Sequence, residues 1–570
     1  MTTFAKSFWK LAAPADREQA AALGQVLNIP VELASLLVQR GMDQADKAKL
    51  FLRPTLATLS DPAEFKDLPE AAALIAEHVR AKKTIFVHGD YDVDGQCATA
   101  LLTRFLRTFG ATVEPFVPHR MTDGYDLSAA GIAAAEAAGA SLIVTCDCGV
   151  TAHDAVADAK RRGFSVIVTD HHLTRDLPPA DAVVNPRRPD CPSTSKELCG
   201  AGLAFKLVQA LARELNVADN APMHFLDFVA LATVADLVPL VGENRTLVRY
   251  GLRQLARSRW PGVRALVAAA GLAGRPLRAG QVGFILAPRL NAIGRIGDAK
   301  DGLRLLLTDD EQEAATRANA LETINRERQE VDKAILKDAV KEIEESVDLD
   351  QTVGLVLARE KWHPGVIGIV ASRLVERYAR PTVLIGIDGQ WGKGSGRSVP
   401  GFDLHGALSA CAQHLTKFGG HKMAAGLTVA CDAIEPFREA FNVAAQSVLS
   451  FDDLVHTQRV DAVLSVDRLD DQLERLLRHF EPCGVGNPAP VLAVRGARAA
   501  GAREVGELHL KFTIEDPTGR LAAIGFGLAD RIETAWLEGD VDVAFRLEEN
   551  VWQGLTSLQA RVIDLRPAGQ

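Results

Sequence analysis

Apolar and polar positions alternate in two periods between about residue 84 and residue 240. Short apolar runs predict buried strands at 84–88, 112–117, 141–146, 165–169 and 182–185. The stretches around them repeat apolar residues every three or four positions, which predicts helices at 69–79, 96–109, 128–138 and 152–162. Strands that alternate with helices favour a mostly parallel sheet, so this region is predicted to be an α/β domain.

The pattern changes elsewhere in the chain. The N-terminal residues predict helices at 16–27, 30–40 and 44–52, whereas residues 308–346 lack Gly and Pro and predict one long helix, either a coiled-coil arm or a rigid connector. A second α/β pattern follows, and strands after it, with a turn near 548–550, predict a small barrel of the OB-fold type. The predicted division is a helical segment 1–60, an α/β domain 61–307, a connecting helix 308–346, a second α/β domain 347–450 and a barrel 455–570.

Composition narrows the class of protein. The 570 residues are 47% hydrophobic and 24% charged, which is ordinary for a globular protein of several domains. The first residues contain no apolar signal core, and no membrane-spanning run is expected. The predicted location is the cytoplasm, which suits the reduced thiols described below. The net charge of −9 argues against a generally basic DNA-coating protein. It does not exclude a nucleic-acid enzyme, because such an enzyme can concentrate its positive charge along one channel.

The eight cysteines do not have the spacing of a disulfide framework, which favours reduced thiols. Cys146 and Cys148, with Cys191 and Cys199, are a conceivable zinc site. Neither pair has the two-to-four-residue gap usual for zinc, so small buried thiols are the favoured interpretation.

One stretch carries more candidate chemistry than any other. The predicted strand at 84–88 runs directly into His88, Asp90, Asp92 and Asp94. Alternate residues of an extended segment share one face, so the three carboxylates are predicted to crowd together. Crowded carboxylates raise each other's pKa unless a cation lies between them. The stretch therefore predicts either a metal site or a protonated pair.

Two later predicted strands also end in ligand-type residues. Asp147 follows the strand at 141–146, and Asp170, His171 and His172 follow the strand at 165–169. Sites in open α/β sheets form at the carboxyl ends of strands. Oxygen and imidazole ligands suit Mn²⁺ or Mg²⁺ better than a structural zinc. One such aspartate alone is ordinarily a turn or capping residue, but three strand ends with the same chemistry indicate a shared site.

These residues resemble the motifs of the DHH phosphoesterase superfamily. The matching residues are His88, Asp92 and Asp94 in the first motif, Asp147 in the second, Asp170-His171-His172 in the motif that names the superfamily, and Asp236 in the fourth. The similarity extends nearly end to end and is greatest to the RecJ family of single-strand-specific DNA exonucleases.

The resemblance implies a site for two cations, Mn²⁺ or Mg²⁺, with Asp147 able to bridge them. The implied metal ligands are His88, Asp92, Asp94, Asp147, His171 and Asp236. The implied catalytic residues are Asp147, His172, Asp90 and Asp170. Of these, Asp90 and Asp170 would orient the ligands, and His172 would face the scissile phosphate.

Three further segments are candidate substrate-binding parts, and the first and third of them resemble segments of the family. They are Arg289, Asn291 and Arg295; Ser395, Gly396, Arg397 and Ser398; and Gly419, Gly420, His421 and Lys422. Arginine donors suit phosphates, and glycines let backbone N–H groups approach them closely. The alternatives are a surface ion pair for the first segment and a turn followed by a buried strand for the glycine-rich segments.

The predicted barrel carries basic and aromatic residues, a combination that suits single-stranded nucleic acid. They are Arg495, Arg498, Arg503, Lys511 and Arg546, with Phe512 and Trp552. Surface arginines and core aromatics are the alternative interpretation.

The resemblance implies a metal-dependent 5′→3′ exonuclease that hydrolyses single-stranded DNA to mononucleotides in DNA repair and recombination. It implies single-stranded DNA as partner, with a single-strand-binding protein and a helicase as further partners, and a monomer without membrane contact. Two alternatives stay open at this point. One is a DHH phosphodiesterase acting on short oligonucleotides or cyclic dinucleotides, and the other is a non-catalytic replication scaffold of the same fold.

Overall fold

The computed structural model describes residues 7–119, 122–124, 126–506, 508–529, 534–552 and 555–569, which fall into two compact units. We call residues 49–326 and 480–489 the sheet unit. The barrel unit consists of the described residues of 1–48, 327–479 and 490–570. The finer five-part division of the chain stays a prediction.

Strands occur in both units. In chain order they are β1 Ser7–Leu11, β2 Ile85–Gly89, β3 Val113–Phe116, β4 Leu142–Cys146, β5 Ser165–Thr169, β6 Ala182–Val184, β7 Leu355–Glu360, β8 Thr382–Asp388, β9 Trp391–Arg397, β10 Lys417–Gly420, β11 Ala424–Ala430, β12 His456–Val460, β13 Ala462–Val463, β14 Leu492–Val505, β15 His509–Asp516, β16 Gly519–Gly525, β17 Asp540–Trp552 and β18 Leu555–Pro567.

Helices separate most of these strands. They are α1 Arg17–Leu27, α2 Val31–Gln39, α3 Ala45–Leu52, α4 Leu68–Arg80, α5 Val93–Arg107, α6 Ala129–Ala137, α7 His153–Arg161, α8 Gly200–Glu214, α9 Leu226–Ala235, α10 Gly242–Leu255, α11 Pro261–Ala269, α12 Ala279–Gln281, α13 Ala287–Ile296, α14 Lys300–Leu307, α15 Glu311–Ser346, α16 Ile367–Tyr378, α17 Leu404–Ala410, α18 Ile434–Gln446 and α19 Asp471–Leu477. No single helix in the described ranges is long and apolar enough to span a membrane, although α1 and α2, bent by 117°, pass that test as a pair.

The sheet unit is built on a parallel sheet in the order β3-β2-β4-β5-β6. Ile85 and Val87 of β2 point into one hydrophobic core, and Phe86 points into another. Both faces of the sheet are therefore covered, as parallel sheets require. The predicted parallel α/β domain is confirmed, and the carboxyl ends of its central strands meet at one edge.

Helix α5 begins earlier than the predicted residue 96. The Asp92 side chain accepts a hydrogen bond from the Gly95 N–H at 3.0 Å and so caps the helix. Asp94 consequently lies in the first helical turn, and the expectation of one extended face for Asp90, Asp92 and Asp94 is wrong. The first turn of α5 is rich in polar and glycine residues, so the spacing of apolar residues does not reveal where the helix starts.

The N-terminal segment is not entirely helical. Strand β1 pairs in parallel with β12, and the Trp9 indole N–H donates to the Asp564 carboxylate at 2.7 Å. The prediction of helices alone over residues 1–60 is therefore wrong, because β1 is a short strand whose partner lies more than 400 residues away in the chain.

A second sheet, in the barrel unit, has the order β10-β11-β9-β8-β7. Strand β9 lies between β8 and β11 and is antiparallel to both. The last strands form a closed barrel in the order β14-β15-β16-β18-β17, with β17 returning to β14. The predicted OB-fold is confirmed. Residues 548–550, predicted as a turn, lie within β17, because polar side chains on the solvent face of a strand resemble a turn.

The long helix α15 confirms the predicted helix at 308–346, but it begins at Glu311. The Asp310 side chain, just before it, accepts a hydrogen bond from the Glu313 N–H. In the sheet unit Ala314, Ala318 and Leu321 are buried in the main core. In the barrel unit Ile335, Ala339 and Ile343 continue the same spacing and are also buried. A helix with a buried stripe along both parts is a packed connector rather than a solvated arm.

Candidate metal centre and nucleic-acid interface

Candidate ligands gather at the carboxyl edge of the parallel sheet. Strands β2, β4 and β5 deliver Asp90, Asp147 and His171 to this edge, and Asp236 caps the C-terminus of α9. A Cβ atom on Gly95 would lie 2.4 Å from the Asp90 nitrogen, so only glycine lets the first turn of α5 lie against the end of β2. That close approach brings Asp94 to the same edge.

Asp94 is anchored by the N-terminus of α8. Its two carboxylate oxygens accept the backbone N–H groups of Gly200 at 2.6 Å and Ala201 at 2.7 Å. The positive end of the helix dipole favours a carboxylate there. A Cβ on Gly200 would also lie 2.5 Å from the Asp147 Cβ. The glycine at the start of α8, which the sequence analysis missed, thus makes room for one ligand and orients another.

Asp147 lies at the centre of the cluster. Its backbone is left-handed, with φ of 65°, and its side chain is almost fully buried. The His171 Nε2 atom lies 3.0 Å from an Asp147 oxygen, 3.6 Å from an Asp236 oxygen and 3.7 Å from an Asp94 oxygen. Neither Asp147 Oδ1 nor His171 Nε2 has a hydrogen-bond partner among the described residues. The two atoms therefore lie close together, but neither is paired by a hydrogen bond.

Ligand atoms within 4.8 Å of one another form three groups. The groups are Asp94, His171 and Asp236; Asp90, Asp92 and Asp147; and Asp147, His171 and His172. Asp147 and His171 each belong to two groups, so the groups form one connected cluster. None of them includes a cysteine, and the cysteine zinc site is not assembled among the described residues.

Burial and mutual repulsion make it energetically unfavourable for the carboxylates of the cluster to be charged when no cation is bound. Burial, and then the charge of Asp92, raise the pKa of Asp94 to about 7. Burial, followed by the charges of Asp94 and Asp92, raises the pKa of Asp236 to about 8. The pKa values of Asp90 and Asp147 are raised for the same reasons. Burial lowers the pKa of His171 to about 3, so its imidazole is neutral and able to act as a ligand.

The donor set fits Mn²⁺ or Mg²⁺. Carboxylate oxygens dominate it, the imidazoles of His171 and His172 join them, and the orphaned buried atoms of Asp147, Asp90 and His171 all lie in it. Hard divalent cations prefer oxygen ligands, and a cation between the carboxylates would remove the repulsion that raises their pKa values.

His88, expected as a ligand, is a buried imidazole whose Nε2 atom also lacks a hydrogen-bond partner among the described residues. It belongs to none of the groups of ligand atoms in the described chain. Its Nδ1 lies 3.6 Å from the Cys148 sulfur, and a Cβ on Gly131 would lie 2.6 Å from its Nε2. Burial lowers the pKa of His88 to about 4. Asp90, expected to orient ligands, instead shares a group with Asp92 and Asp147.

Asp170 and His172 form an orienting pair beside the cluster. Asp170 Oδ1 accepts the backbone N–H groups of His171 and His172 and lies 2.7 Å from the His172 Nδ1. Burial opposes a charged His172, but the Asp170 carboxylate outweighs burial and raises the pKa of His172 to about 9. His172 is thus cationic at neutral pH, and its side chain is 41% exposed.

The helix α13 carries the first candidate substrate segment. Arg289 Nε donates to Glu322 at 2.6 Å, so this guanidinium is held in a partly buried ion pair. A Cβ on Gly294 would lie 3.3 Å from the Tyr91 carbonyl oxygen, which places α13 against the turn that carries Asp90 and Asp92. Asn291 and Arg295 are half-buried on the same helix.

The second segment lies in β9 of the barrel unit. Its backbone pairs with β8 and β11, so Gly396 serves strand packing rather than an open phosphate loop. Ser398 is buried, and its hydroxyl donates to the Phe402 carbonyl at 2.8 Å. The Arg397 guanidinium donates to the Ser395 hydroxyl at 3.1 Å. A Cβ on Gly368 would lie 2.8 Å from each of these two side chains, so they abut the first turn of α16.

The third segment is the exposed hairpin between β10 and β11. Gly419, Gly420, His421 and Lys422 are all exposed. Gly420 has φ of 141°, and a Cβ there would lie 2.5 Å from the Ala424 carbonyl oxygen. The turn therefore requires glycine at this position, and it presents the two basic side chains to solvent.

A row of basic side chains crosses the barrel. Arg503 lies opposite Lys511, Lys511 opposite Ile524, Ile524 opposite Arg561, and Arg561 opposite Arg546. Directly opposite residues share a face, and the four basic residues are exposed. None of them makes an ion pair within the described ranges. We call these four the basic row.

An exposed aromatic lies beside the basic row. The Phe526 side chain is 50% exposed, with its ring centroid 5.1 Å from that of His509 and 5.5 Å from the Arg561 guanidinium. Phe512, which was expected to be a binding aromatic, is buried in the barrel. The Trp552 side chain lies outside the described residues. Arg561 and Phe526 escaped the sequence analysis, because only strand register brings them together.

Two of the expected basic residues face acidic partners. Arg495 Nε lies 3.9 Å from an Asp542 oxygen, and Arg498 lies opposite Glu515 in the pairing of β14 and β15. Both arginines lie outside the basic row and are arginines of the same barrel that face acidic residues.

The metal-free protein should lose stability as the pH rises. The pKa values of Asp94 and Asp236 are raised to about 7 and about 8. Their stabilising contribution is present at acidic pH and is lost as the pH rises through these values. The melting temperature should therefore rise more on adding Mn²⁺ at about pH 8.5 than at about pH 6. Thermal melts with chelator and with Mn²⁺ measure this, and an equal rise at both pH values would contradict it.

Three family models match the chain. The DHH family N-terminal domain matches residues 84–233, the DHHA1 domain matches residues 351–447, and the RecJ OB domain matches residues 460–564. The first contains Asp90, Asp92, Asp94, Asp147 and His171, and the third contains the basic row. Along the chain, the three matches cover in turn the parallel sheet, the second sheet and the closed barrel.

Curated relatives match nearly the whole chain. The single-stranded-DNA-specific exonuclease RecJ of Bacillus subtilis is 36% identical, over 98% of this chain and 71% of the relative. The protein of the same name from Escherichia coli is 35% identical, over 95% of this chain and 98% of the relative. Crystalline RecJ of Thermus thermophilus in complex with Mn²⁺ is 34% identical, with a TM-score of 0.85 over 98% of this chain and 80% of that one. A solved structure of the same protein contains Mg²⁺. This similarity over nearly the whole length, together with the cluster of candidate metal ligands and the closed barrel, shows that the chain belongs to the RecJ family.

Proposed function

We propose that the protein is a divalent-metal-dependent exonuclease that hydrolyses single-stranded DNA. The observation that carries the proposal is the connected cluster of Asp90, Asp92, Asp94, Asp147, His171 and Asp236 in a chain similar to named exonucleases. The similarity over nearly the whole length, barrel included, favours this function over the small-substrate phosphodiesterase. The six connected ligand-type side chains favour it over a non-catalytic scaffold.

The ligands divide naturally between two cations. Asp94, His171 and Asp236 would hold one, Asp90 and Asp92 the other, and Asp147 both. Bound Mn²⁺ or Mg²⁺ would stabilise charge on the attacking and leaving oxygens and make hydroxide available at neutral pH. The α8 N-terminus holds Asp94 in place, and burial keeps His171 neutral, so these ligands are oriented before a cation binds.

His172 would attract the scissile phosphate. Asp170 keeps its ring protonated and fixes its orientation through the 2.7 Å contact to Nδ1. A cation held beside the metal ligands favours an anionic substrate and the additional negative charge of a pentacovalent transition state. His172→Gln should therefore lower kcat while the Mn²⁺ affinity stays near that of the parent protein, as parallel kinetics and calorimetry would show.

Arg397 would bind a phosphate group of the DNA. Its guanidinium and the Ser395 hydroxyl abut the N-terminal turn of α16, where the helix dipole also favours an anion. Arg397→Ala should raise KM about tenfold, the loss typical of one charge-assisted hydrogen bond. The Mn²⁺ affinity should stay unchanged. Arg438→Ala, which removes an arginine paired with Glu435, is the matched control. A large loss of Mn²⁺ affinity in Arg397→Ala would contradict this role.

The basic row and Phe526 would hold the single strand on the barrel. Positive side chains contact phosphates, and an exposed ring with a neighbouring guanidinium stacks a base. The neighbouring strands of the row lie about 4.8 Å apart, so the row is long enough to contact several phosphates.

The polarity and the products belong to the same proposal. We expect 5′→3′ digestion to mononucleotides, in DNA repair and recombination, by a monomer in the cytoplasm. A single-strand-binding protein and a helicase are the expected protein partners. We further propose the domain division 1–60, 61–307, 308–346, 347–450 and 455–570, with residues 480–489 serving the catalytic domain.

Digestion of end-labelled oligonucleotides tests the proposal. Single strands labelled at either end, and the matching duplex, are incubated with Mn²⁺, with Mg²⁺ and with chelator. The expected result is metal-dependent release of a mononucleotide from the 5′ label at once, with the 3′ label released last. Cleavage in the presence of chelator, or equal digestion of the duplex, would overturn it.

A further inference from the structure

The loop that carries Asp236 depends on a segment that lies about 250 residues further along the chain. After α9, residues 236–241 lead directly into α10. Leu237 has a left-handed backbone, with φ of 60°, and its side chain is 67% exposed. Non-glycine residues adopt that conformation at a cost, so surrounding contacts must hold it. Two sets of contacts reach the loop: the Asn244 side-chain amide donates to the Pro239 carbonyl at 3.0 Å, and residues 480–489, which belong to the same sheet unit, contact Pro239 and Leu240.

The segment Phe480–Ala489, which we call the clasp, contacts the loop through backbone and glycine. The Leu240 N–H donates to the Val485 carbonyl at 2.7 Å. A Cβ on Gly484 would lie 2.8 Å from the Leu240 side chain, and a Cβ on Gly486 would lie 3.0 Å from the Pro239 ring. The two glycines therefore allow the clasp to lie flat against the loop.

The clasp is itself fixed to the helix that follows the loop. Arg245 of α10 donates from Nη1 to the carbonyls of Phe480 at 2.8 Å and Pro482 at 3.1 Å. The Asn487 side-chain amide donates to the same two carbonyls, at 2.9 and 2.8 Å. Arg245 and Asn487 are both buried. Loop, helix and clasp thus form a closed ring of contacts, and the loop cannot shift without breaking one of them.

We propose that Gly484, Gly486 and Asn487 are positioning residues that hold Asp236 at the metal cluster. The inference rests on the proposed function, since it assigns the clasp to one of the two cation sites of that function. Asp236 has an oxygen 3.6 Å from the His171 Nε2 and shares a group of ligand atoms with Asp94 and His171. A displaced loop would move Asp236 and weaken the cation site of that group. The group of Asp90, Asp92 and Asp147 has no member in the loop and would be unaffected.

The test is Gly484→Val in the full-length protein, followed by Mn²⁺ titration calorimetry of the metal-free form. The variant should lose about tenfold or more in Mn²⁺ affinity at one site, because residues that orient ligands typically have effects of this size. The affinity of the other site should stay unchanged, and raised Mn²⁺ should restore hydrolysis. Gly280→Val is the matched control, because nothing lies within 4 Å of a Cβ placed there.

Two further variants separate positioning from general damage. Leu240→Ala combined with Gly484→Val removes as much bulk as it adds, and it should recover most of the lost affinity. Asp236→Asn should weaken the same site, and adding Gly484→Val to it should cause little further loss, since both changes act through one carboxylate. If Gly484→Val fails to fold, Gly484→Ala replaces it in the same comparisons.

The outcomes are distinct for the two proposals. If the parent protein binds no Mn²⁺ and digests no DNA, the proposed function fails. If the parent does both and a folded clasp variant keeps full affinity at both sites, the positioning role is overturned. Equal losses at both sites, or additive losses with Asp236→Asn, would likewise make the clasp a general structural element.

Discussion

Asp147→Asn should reduce hydrolysis by about a thousandfold or more, because losing the bridging carboxylate removes several kcal/mol of transition-state stabilisation. Asp147 shares one group of ligand atoms with Asp90 and Asp92 and another with His171 and His172. An amide supplies one neutral oxygen and cannot neutralise two cations. The fold should survive, since asparagine tolerates the left-handed φ of 65° at this position and the change removes a buried repulsive charge.

The measurement is turnover of a labelled single strand with saturating Mn²⁺, together with a thermal melt. Asp154→Asn is the control, because Asp154 is an exposed aspartate on α7 of the same unit. That variant should keep the parental rate. Near-parental turnover by a folded, metal-loaded Asp147→Asn protein would refute the central role of this residue.

Replacing the basic row with glutamine should weaken the binding of long single strands and flatten its salt dependence. Each phosphate contact contributes about 0.7 to the slope of log affinity against log salt, so losing four should lower the slope by about 3. The Asp147→Asn background prevents digestion during the measurement. Affinity for a long single strand across a salt series gives both quantities. Very short oligonucleotides should still be hydrolysed at close to the parental rate by the row variant with Asp147 intact.

A matched control removes the same number of positive charges from barrel residues that lie outside the basic row. Arg495→Gln with Arg520→Gln neutralises two barrel arginines that face Asp542 and Glu515, and the slope should change little. Its direct comparison is Arg503→Gln with Arg561→Gln, which should lower the slope by about 1.4. Equal slopes for both pairs would show that the basic row does not contact DNA. Deleting the barrel is a poorer test, because a cut before it would also remove the clasp.

Much of the catalytic edge could be predicted from the chain alone. Asp90, Asp147 and Asp170 each follow an apolar run, and the runs alternate with amphipathic helices. A parallel sheet places all such strand ends at one edge, so the periodicity and the polar residues after each strand determine a shared site. The closed barrel was predictable for a similar reason, because its strands alternate apolar and polar residues locally.

The tertiary structure alone decided which side chains meet. Asp94 reaches its ligand group because α5 begins at Val93, and Asp90 belongs to a ligand group whereas His88 belongs to none among the described residues. Phe512 and Phe526 are equally aromatic in sequence, but only the latter is exposed. The basic row requires the register of five strands, and the clasp pairs Leu240 with Val485. Local patterns carry periodicity and burial, whereas contacts between distant segments depend on packing that no single stretch of sequence encodes.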